Sequence, residues 1–195
     1  MENNSPAPSA RERILLTAHG LFYGEGIRAT GIDRIIREAG VTKVTFYRHF
    51  PSKNDLIRAY LEYRHTLWMN WFKGALTRHG GPQQAPNEVI VGALGEWFGN
   101  ENYRGCAFIN AVVEFDGTLP EVAEISRRHK KEMSEVLAAQ LISGNSAGKA
   151  EAIAMAIDGA IIRAQMGGSA ESALLTLKQI LAAISPPEHR ESSPS

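Results

Sequence analysis

A chain of 195 residues, 44% of them hydrophobic and 22% charged, is long enough to bury a core and too apolar to stay disordered. Its 21 basic and 21 acidic side chains cancel, which argues against a general polyanion binder that works by charge alone. The single cysteine, Cys106, excludes an internal disulfide. The longest apolar stretch, Ala150 to Met166, is interrupted by Asp158 and Arg163, so no membrane span is expected; with no signal-like leader in view, a reducing cytoplasm is the expected setting.

Residues 1–8 are polar with two prolines and are expected to be a disordered tail. Ser9 and Glu12 then form a capping box that opens a first helix running to about Tyr23. Ile14, Leu15, Ala18, Leu21 and Phe22 make its apolar stripe, and Gly24 and Gly26 close it. Thr30 followed by Asp33 has capping-box character for a second helix, which turns Ile32, Ile35, Ile36 and Ala39 to one face. Gly40 sits where a C-cap needs positive φ, and Val41 can tuck between the helices. Thr42 is the next N-cap, for a helix from Lys43 to about His49 that Phe50-Pro51 ends. Ser52 caps a fourth helix, with Asp55 three residues on.

That long helix is predicted to run from Ser52 to about Arg78, with Leu56, Ile57, Tyr60, Leu61, Leu67, Trp68, Trp71 and Phe72 at helical spacing. Its start would pack with the first three helices and its end would lie in the remainder of the chain, so it can couple the two. His79-Gly80-Gly81-Pro82 breaks it. Further helices are expected over Pro86 to Phe98, over Gly105 to Phe115 (apolar almost all round, hence buried), and from a Thr118–Glu121 capping box to about Leu141. After a Ser143–Gly148 turn, two last helices carry stripes through Ile153, Ile157 and Ile161 and through Leu174, Leu177 and Leu181. Residues 186–195 read as a second polar tail. The expected fold is all-α: a head of three helices over 9–51 and a helical body over 52–185.

Two helices joined by a few residues containing Gly are the signature of a helix-turn-helix. On the second of the pair, Phe46 and Phe50 can point inward at four-residue spacing. Thr42, Lys43, Val44, Thr45, Tyr47, Arg48 and His49 are left facing outward or sideways. A tyrosine, cations and a histidine on so short a helix suit phosphate bonding and major-groove contact; Val44 could meet a thymine methyl. Residues 1–65 hold ten Lys/Arg against seven Asp/Glu, and residues 66–195 hold eleven against fourteen. A basic head on an acidic body fits a site-specific DNA binder.

The run AGVTKVTFYRHFPSK, residues 39–53, resembles the DNA-binding signature of the TetR family of transcriptional regulators, whose common form is AGVSKGTLYxHFxSK. The likeness covers about residues 10–60. It implies that Thr30, Tyr47, His49 and Lys53 grip the DNA backbone and that Lys43, Val44, Thr45 and Arg48 belong to the recognition helix. Val44 replaces a frequent Gly, which limits how near the backbone can approach DNA; Ile36 replaces a frequent Ala. The resemblance further implies a homodimer on a palindromic operator, acting as a repressor released by a small apolar or amphipathic inducer. The two last helices, through Ile153, Ile157, Ile161, Leu174, Leu177 and Leu181, would form a four-helix bundle with a second subunit.

A ligand cavity would take aromatic walls from Trp68, Phe72, Trp97 and Phe108 and polar groups from Asn110, Glu114 and His129, with Met133 on the His129 stripe. Each of these also has a plain structural reading, as core packing or as a partner of nearby backbone. The segment GCAFINAVVEF resembles a body motif of one TetR subgroup, a likeness that carries no ligand over to this chain. Cys106, among Ala107, Phe108 and Ile109, reads as buried rather than as a redox sensor. The six His are scattered, and neither a metal site nor a cofactor is expected. Two other functions stay open at this point. One is an all-helical enzyme using the body cavity, although no nucleophile–base pair or phosphate loop is visible. The other is a ligand-independent DNA-binding activator.

Overall fold

The computed structural model describes residues 7–81, 84–115, 117–141, 146–167 and 169–184. Among them are nine helices and no strand: α1 (Ala10–Glu25), α2 (Ile32–Glu38), α3 (Lys43–His49), α4 (Lys53–His79), α5 (Pro86–Phe98), α6 (Ala107–Phe115), α7 (Pro120–Leu141), α8 (Ser146–Gln165) and α9 (Ala170–Ile184). The chain is all-α, as expected. The predicted tails, apart from Ala7 and Pro8, and residues 143–145 of the predicted Ser143–Gly148 turn lie outside the described residues; the end of that turn, from Ser146, is already helix. The helices gather into two compact units. One holds Met1–Trp68 with Cys106–His129, the other Met69–Gly105 with Lys130–Ser195.

In the first unit α1, α2 and α3 pack on one another. The Ser9 hydroxyl accepts from Glu12 N and the Glu12 carboxylate accepts from Ser9 N, so the predicted capping box starts α1. Ile14, Ala18, Leu21 and Phe22 form its buried stripe, and Gly26 at φ 97° ends it. The α2 start differs from expectation. Gly31 is its N-cap, with no side-chain hydrogen bond, while Thr30 is fully buried and donates to Gly26 O at 2.8 Å. Gly40 takes φ 63° as the turn requires. Ser52 and Asp55 cap α4 in the predicted way. The apolar stripe of α4 runs through Leu56, Ile57, Tyr60, Leu61 and Trp68, but Leu67 is 43% exposed.

Two more local readings change. The Thr118 hydroxyl donates to Phe115 O instead of capping α7. The α6 helix is not buried all round: Ala107, Phe108 and Ala111 face the core, while Val112 and Val113 are exposed.

In the second unit α9 packs on both α5 and α8. Proline stands at the start of α5, where its missing N–H costs nothing, and Val89, Ile90, Ala93, Leu94, Trp97 and Phe98 are buried. The Tyr103 hydroxyl donates to Ile161 O at 2.8 Å, and Lys130 pairs with Asp158. The stripes expected to meet a second subunit are used here instead. Ile153, Ile157, Ile161, Leu177 and Leu181 are all buried within this chain, and Leu174 lies against Gly95 of α5. These residues build the core of this unit, where α9 packs on both α8 and α5.

His19 on α1 lies beside Arg64 of α4, 3.3 Å from its guanidinium, with Tyr60 and Tyr63 around the ring. Burial, reinforced by the Arg64 charge, pushes the imidazole from an ordinary 6.5 down to about 4. Between these values the unfolded chain binds a proton that the folded chain refuses. Stability should therefore fall as pH drops from about 6.5 to about 4, and the His19 share of that loss should level off below. Melting curves followed by circular dichroism should show a shallower slope over this window for His19→Gln than for the parent; equal slopes would refute the assignment.

Candidate nucleic-acid interface

The α3 helix has only seven residues, so it cannot hold itself together in water. Its N-cap and its buried face do so. The Thr42 hydroxyl accepts from Thr45 N at 3.1 Å, and the two threonine hydroxyls lie 2.9 Å apart. Two hydroxyls sharing one hydrogen bond leave one O–H free to donate outward. Phe46 is fully buried and Phe50 is 2% exposed, their ring centroids 6.3 Å apart. At about 100° per residue, this anchoring turns Lys43, Val44, Tyr47 and Arg48 to solvent, and all four are exposed. Tyr47 lays its ring edge-on against Phe46 at 5.3 Å, which steadies it while the residue stays 40% exposed. Thr45 and His49 are half-buried at the sides. Seven of the nine predicted DNA-contacting residues are thus together on α3 and its N-cap.

The other two are engaged elsewhere. The buried Thr30 hydroxyl is committed to Gly26 O. The Lys53 ammonium donates to Ile27 O at 2.7 Å and lies 5.9 Å from the centroid of the Phe22 ring. Burial holds Lys53 below the ordinary lysine range, and the charge of Glu114 offsets part of that effect. Both groups are bonded to backbone carbonyls of the α1–α2 loop in this state.

The predicted ligand residues are distributed over both units. In the first unit Trp68, Phe108 and His129 meet. His129 is 1% exposed and stacks on Phe108 at 3.7 Å, with Trp68 edge-on at 5.0 Å. His65 joins them, its Nδ1 3.1 Å from His129 Nδ1. Sequence reasoning missed His65, though it falls between Leu61 and Phe72 on the same helical stripe. Asn110 is half-buried on α6. In the second unit Phe72 and Met133 are fully buried, and Trp97 packs with Trp71, Phe98 and Tyr103.

Glu114 does something else. Its carboxylate accepts from Ile27 N at 3.1 Å and from Arg28 N at 2.7 Å, and closes over Gly26. It holds the backbone of the α1–α2 loop rather than offering itself to a ligand. Among the described residues no group of three or more His, Cys, Asp or Glu side chains is placed to hold a metal, and no helix is long and apolar enough to cross a membrane.

Comparison with known proteins decides the family. Residues 14–60 match the bacterial regulatory proteins of the tetR family. A solved structure of SCO4454, a TetR-family transcriptional regulator from Streptomyces coelicolor, is similar over 90% of this chain and 93% of that one, with 31% identity and a TM-score of 0.74. The chain belongs to the TetR family. Its N-terminal helix-turn-helix is that of a family of DNA-binding transcriptional regulators, and its relatives are named as transcriptional regulators. The HTH-type transcriptional repressor BepR of Brucella suis is 31% identical over 135 residues, which is 68% of this chain and 63% of BepR. The HTH-type regulator YerO of Bacillus subtilis is 32% identical over 117 residues, 60% of this chain and 39% of YerO. The chain thus spans less than two thirds of the length of these two relatives.

Removing the Glu114 carboxylate leaves two loop N–H groups to water. Glu114→Ala should cost about 2 kcal/mol, given roughly 1.5–3 for a hydrogen bond to a charged group less what rehydration returns. In a protein of this size that lowers the melting temperature by about 4–8 °C. Glu114→Gln, which keeps one acceptor, should lie between Ala and the parent. Thermal melts showing all three alike would mean the contact carries no stability.

Proposed function

We propose that this TetR-family regulator is a homodimeric repressor. It would set one α3 from each protomer into successive major-groove faces of a palindromic operator and leave when a small apolar or amphipathic molecule binds. The observation that carries the DNA-binding part is the outward face of α3. Lys43 and Arg48 supply cations, Tyr47 supplies a steadied hydroxyl, and the Thr42–Thr45 pair supplies a donor, all opposite a buried Phe46. Lys43 and Tyr47 suit phosphate oxygens, while Arg48 suits the acceptor edge of a purine. The name of BepR favours repression.

Dimerisation is supported by a different face of α8 and α9 from the one the sequence suggested. Met155, Met166 and Ile180 are 70%, 77% and 42% exposed, and they border an open groove of about 760 Å³ that also includes Gly159, Ser172 and Thr176. An apolar surface of this kind on a lone chain marks an interaction site. A two-fold axis through it would bring identical patches together. For the inducer, the cluster of buried Trp68, Phe108 and His129 with half-buried His65 combines aromatic walls with imidazole nitrogens. A ligand that prefers the DNA-free arrangement would shift the population by its differential affinity and no further.

Fluorescence anisotropy with the protein's own upstream DNA tests the interface. The triple variant Lys43→Ala, Tyr47→Phe, Arg48→Ala should bind at least about 100-fold more weakly, and its log–log salt slope should be shallower by roughly one for each phosphate bond removed. Parent-like binding by that variant would sink the assigned surface. A second experiment addresses assembly. Met155→Lys with Ile180→Glu should sediment as a folded monomer with lowered operator affinity, whereas an unchanged dimer would place the interface elsewhere.

A further inference from the structure

Val44 is the least protected large hydrophobic side chain among the described residues, 79% exposed on a helix whose other outward groups are polar. Its position is fixed from behind. Phe46 is fully buried, and two residues at about 100° each place Val44 some 160° away from it, at the crest of the outward face. Arg48, one turn further on, rises on the same side. The hydroxyls of Thr42 and Thr45 are bonded to each other at 2.9 Å beside it. A β-branched side chain in a helix keeps essentially one χ1 state, so the two methyl groups are held in place before any contact is made.

Such a group at the crest of a helix entering a major groove must meet some base edge. The edges offer donors and acceptors, which valine would strip of water without replacing. The one apolar group they carry is the C5-methyl of thymine, or of cytosine where that base is methylated. We propose that Val44 is a specificity-determining residue that selects a C5-methylated pyrimidine at one position in each operator half-site. The proposal rests on α3 being the helix that enters the groove.

The test uses the full-length protein and an operator duplex found by selection from random sequence. Each thymine of a half-site is replaced in turn by deoxyuridine, which removes the methyl and nothing else. At one position the parent should lose about fourfold in affinity, the effect of one buried methyl group. Making the change in both half-sites should lose about 16-fold. Val44→Ala, at a site too exposed to disturb the fold, should change less than twofold on the same substitution. A second arm places cytosine or 5-methylcytosine at that position. The methyl should strengthen binding about fourfold for the parent and leave Val44→Ala indifferent, which shows whether the methyl alone is read or thymine is required. If parent and Val44→Ala respond alike to deoxyuridine at every position, the Val44 assignment falls while operator binding stands. If the parent shows no preference for any duplex over random competitor, the reading of α3 falls with it.

Discussion

The burial of Phe46 and Phe50 is the constraint on which the proposed recognition surface depends. A seven-residue helix has too few internal hydrogen bonds to offset its nucleation. Each buried phenylalanine contributes about 1.5–3 kcal/mol, enough to hold such a helix against its neighbours. Because the two rings are spaced by four residues, they fix the rotation of α3 as well as its existence. A rotation of one residue would carry Val44 off the crest and expose a phenylalanine. The chemistry of the face is thus set by two residues that take no part in it.

A second constraint acts on the backbone just before α2. The α1–α2 loop begins at Gly26 with φ 97° and must satisfy its own N–H and C=O groups. Thr30 bonds Gly26 O, Lys53 bonds Ile27 O, and Glu114 takes the N–H groups of Ile27 and Arg28. The loop thus bonds to itself through Thr30 and is met by two helices of one compact unit, α4 and α6. This gives a physical reason why two residues that the family signature assigns to DNA are bonded to the loop here. For Lys53 to reach a phosphate it must leave a carbonyl behind, so any gain at the DNA is reduced by the broken bond to the loop. The nearby Glu114 charge makes the partly desolvated ammonium tolerable where it is.

What could be read in advance was mostly local. The Ser9–Glu12 box, the Thr42 cap, the positive φ at Gly40, the Ser52–Asp55 cap and the proline opening α5 all involve residues within a turn of one another. The readings that changed needed knowledge of what covers a residue. Thr30 looks like a cap in sequence and Gly31 takes the position, because burial commits the hydroxyl elsewhere. The α6 helix looks apolar all round, yet Val113 is exposed. Glu114 reaches its partners across 86 and 87 positions, and no spacing rule reports such a contact. Periodicity identified the aliphatic stripes of α8 and α9 but could not say whether their cover came from the same chain or from another.

That last ambiguity has a consequence for recognition. The α8 helix presents Ile153, Ile157 and Ile161 to its own core, yet it also carries Met155 and an open Gly159 on another side. Two apolar faces on one helix are stable in water only if the second is covered as well. Methionine adapts to whatever covers it, and a glycine with nothing above it leaves room for close approach. A recognition helix of seven residues touches only a few base pairs, far fewer than are needed to single out one operator in a genome. A second copy joined through α8 and α9 would make the second half-site contact intramolecular, and effective concentration would then multiply the discrimination of two weak heads. The surplus apolar face and the brevity of α3 are therefore complementary: each leaves unfinished what a two-fold partner would complete.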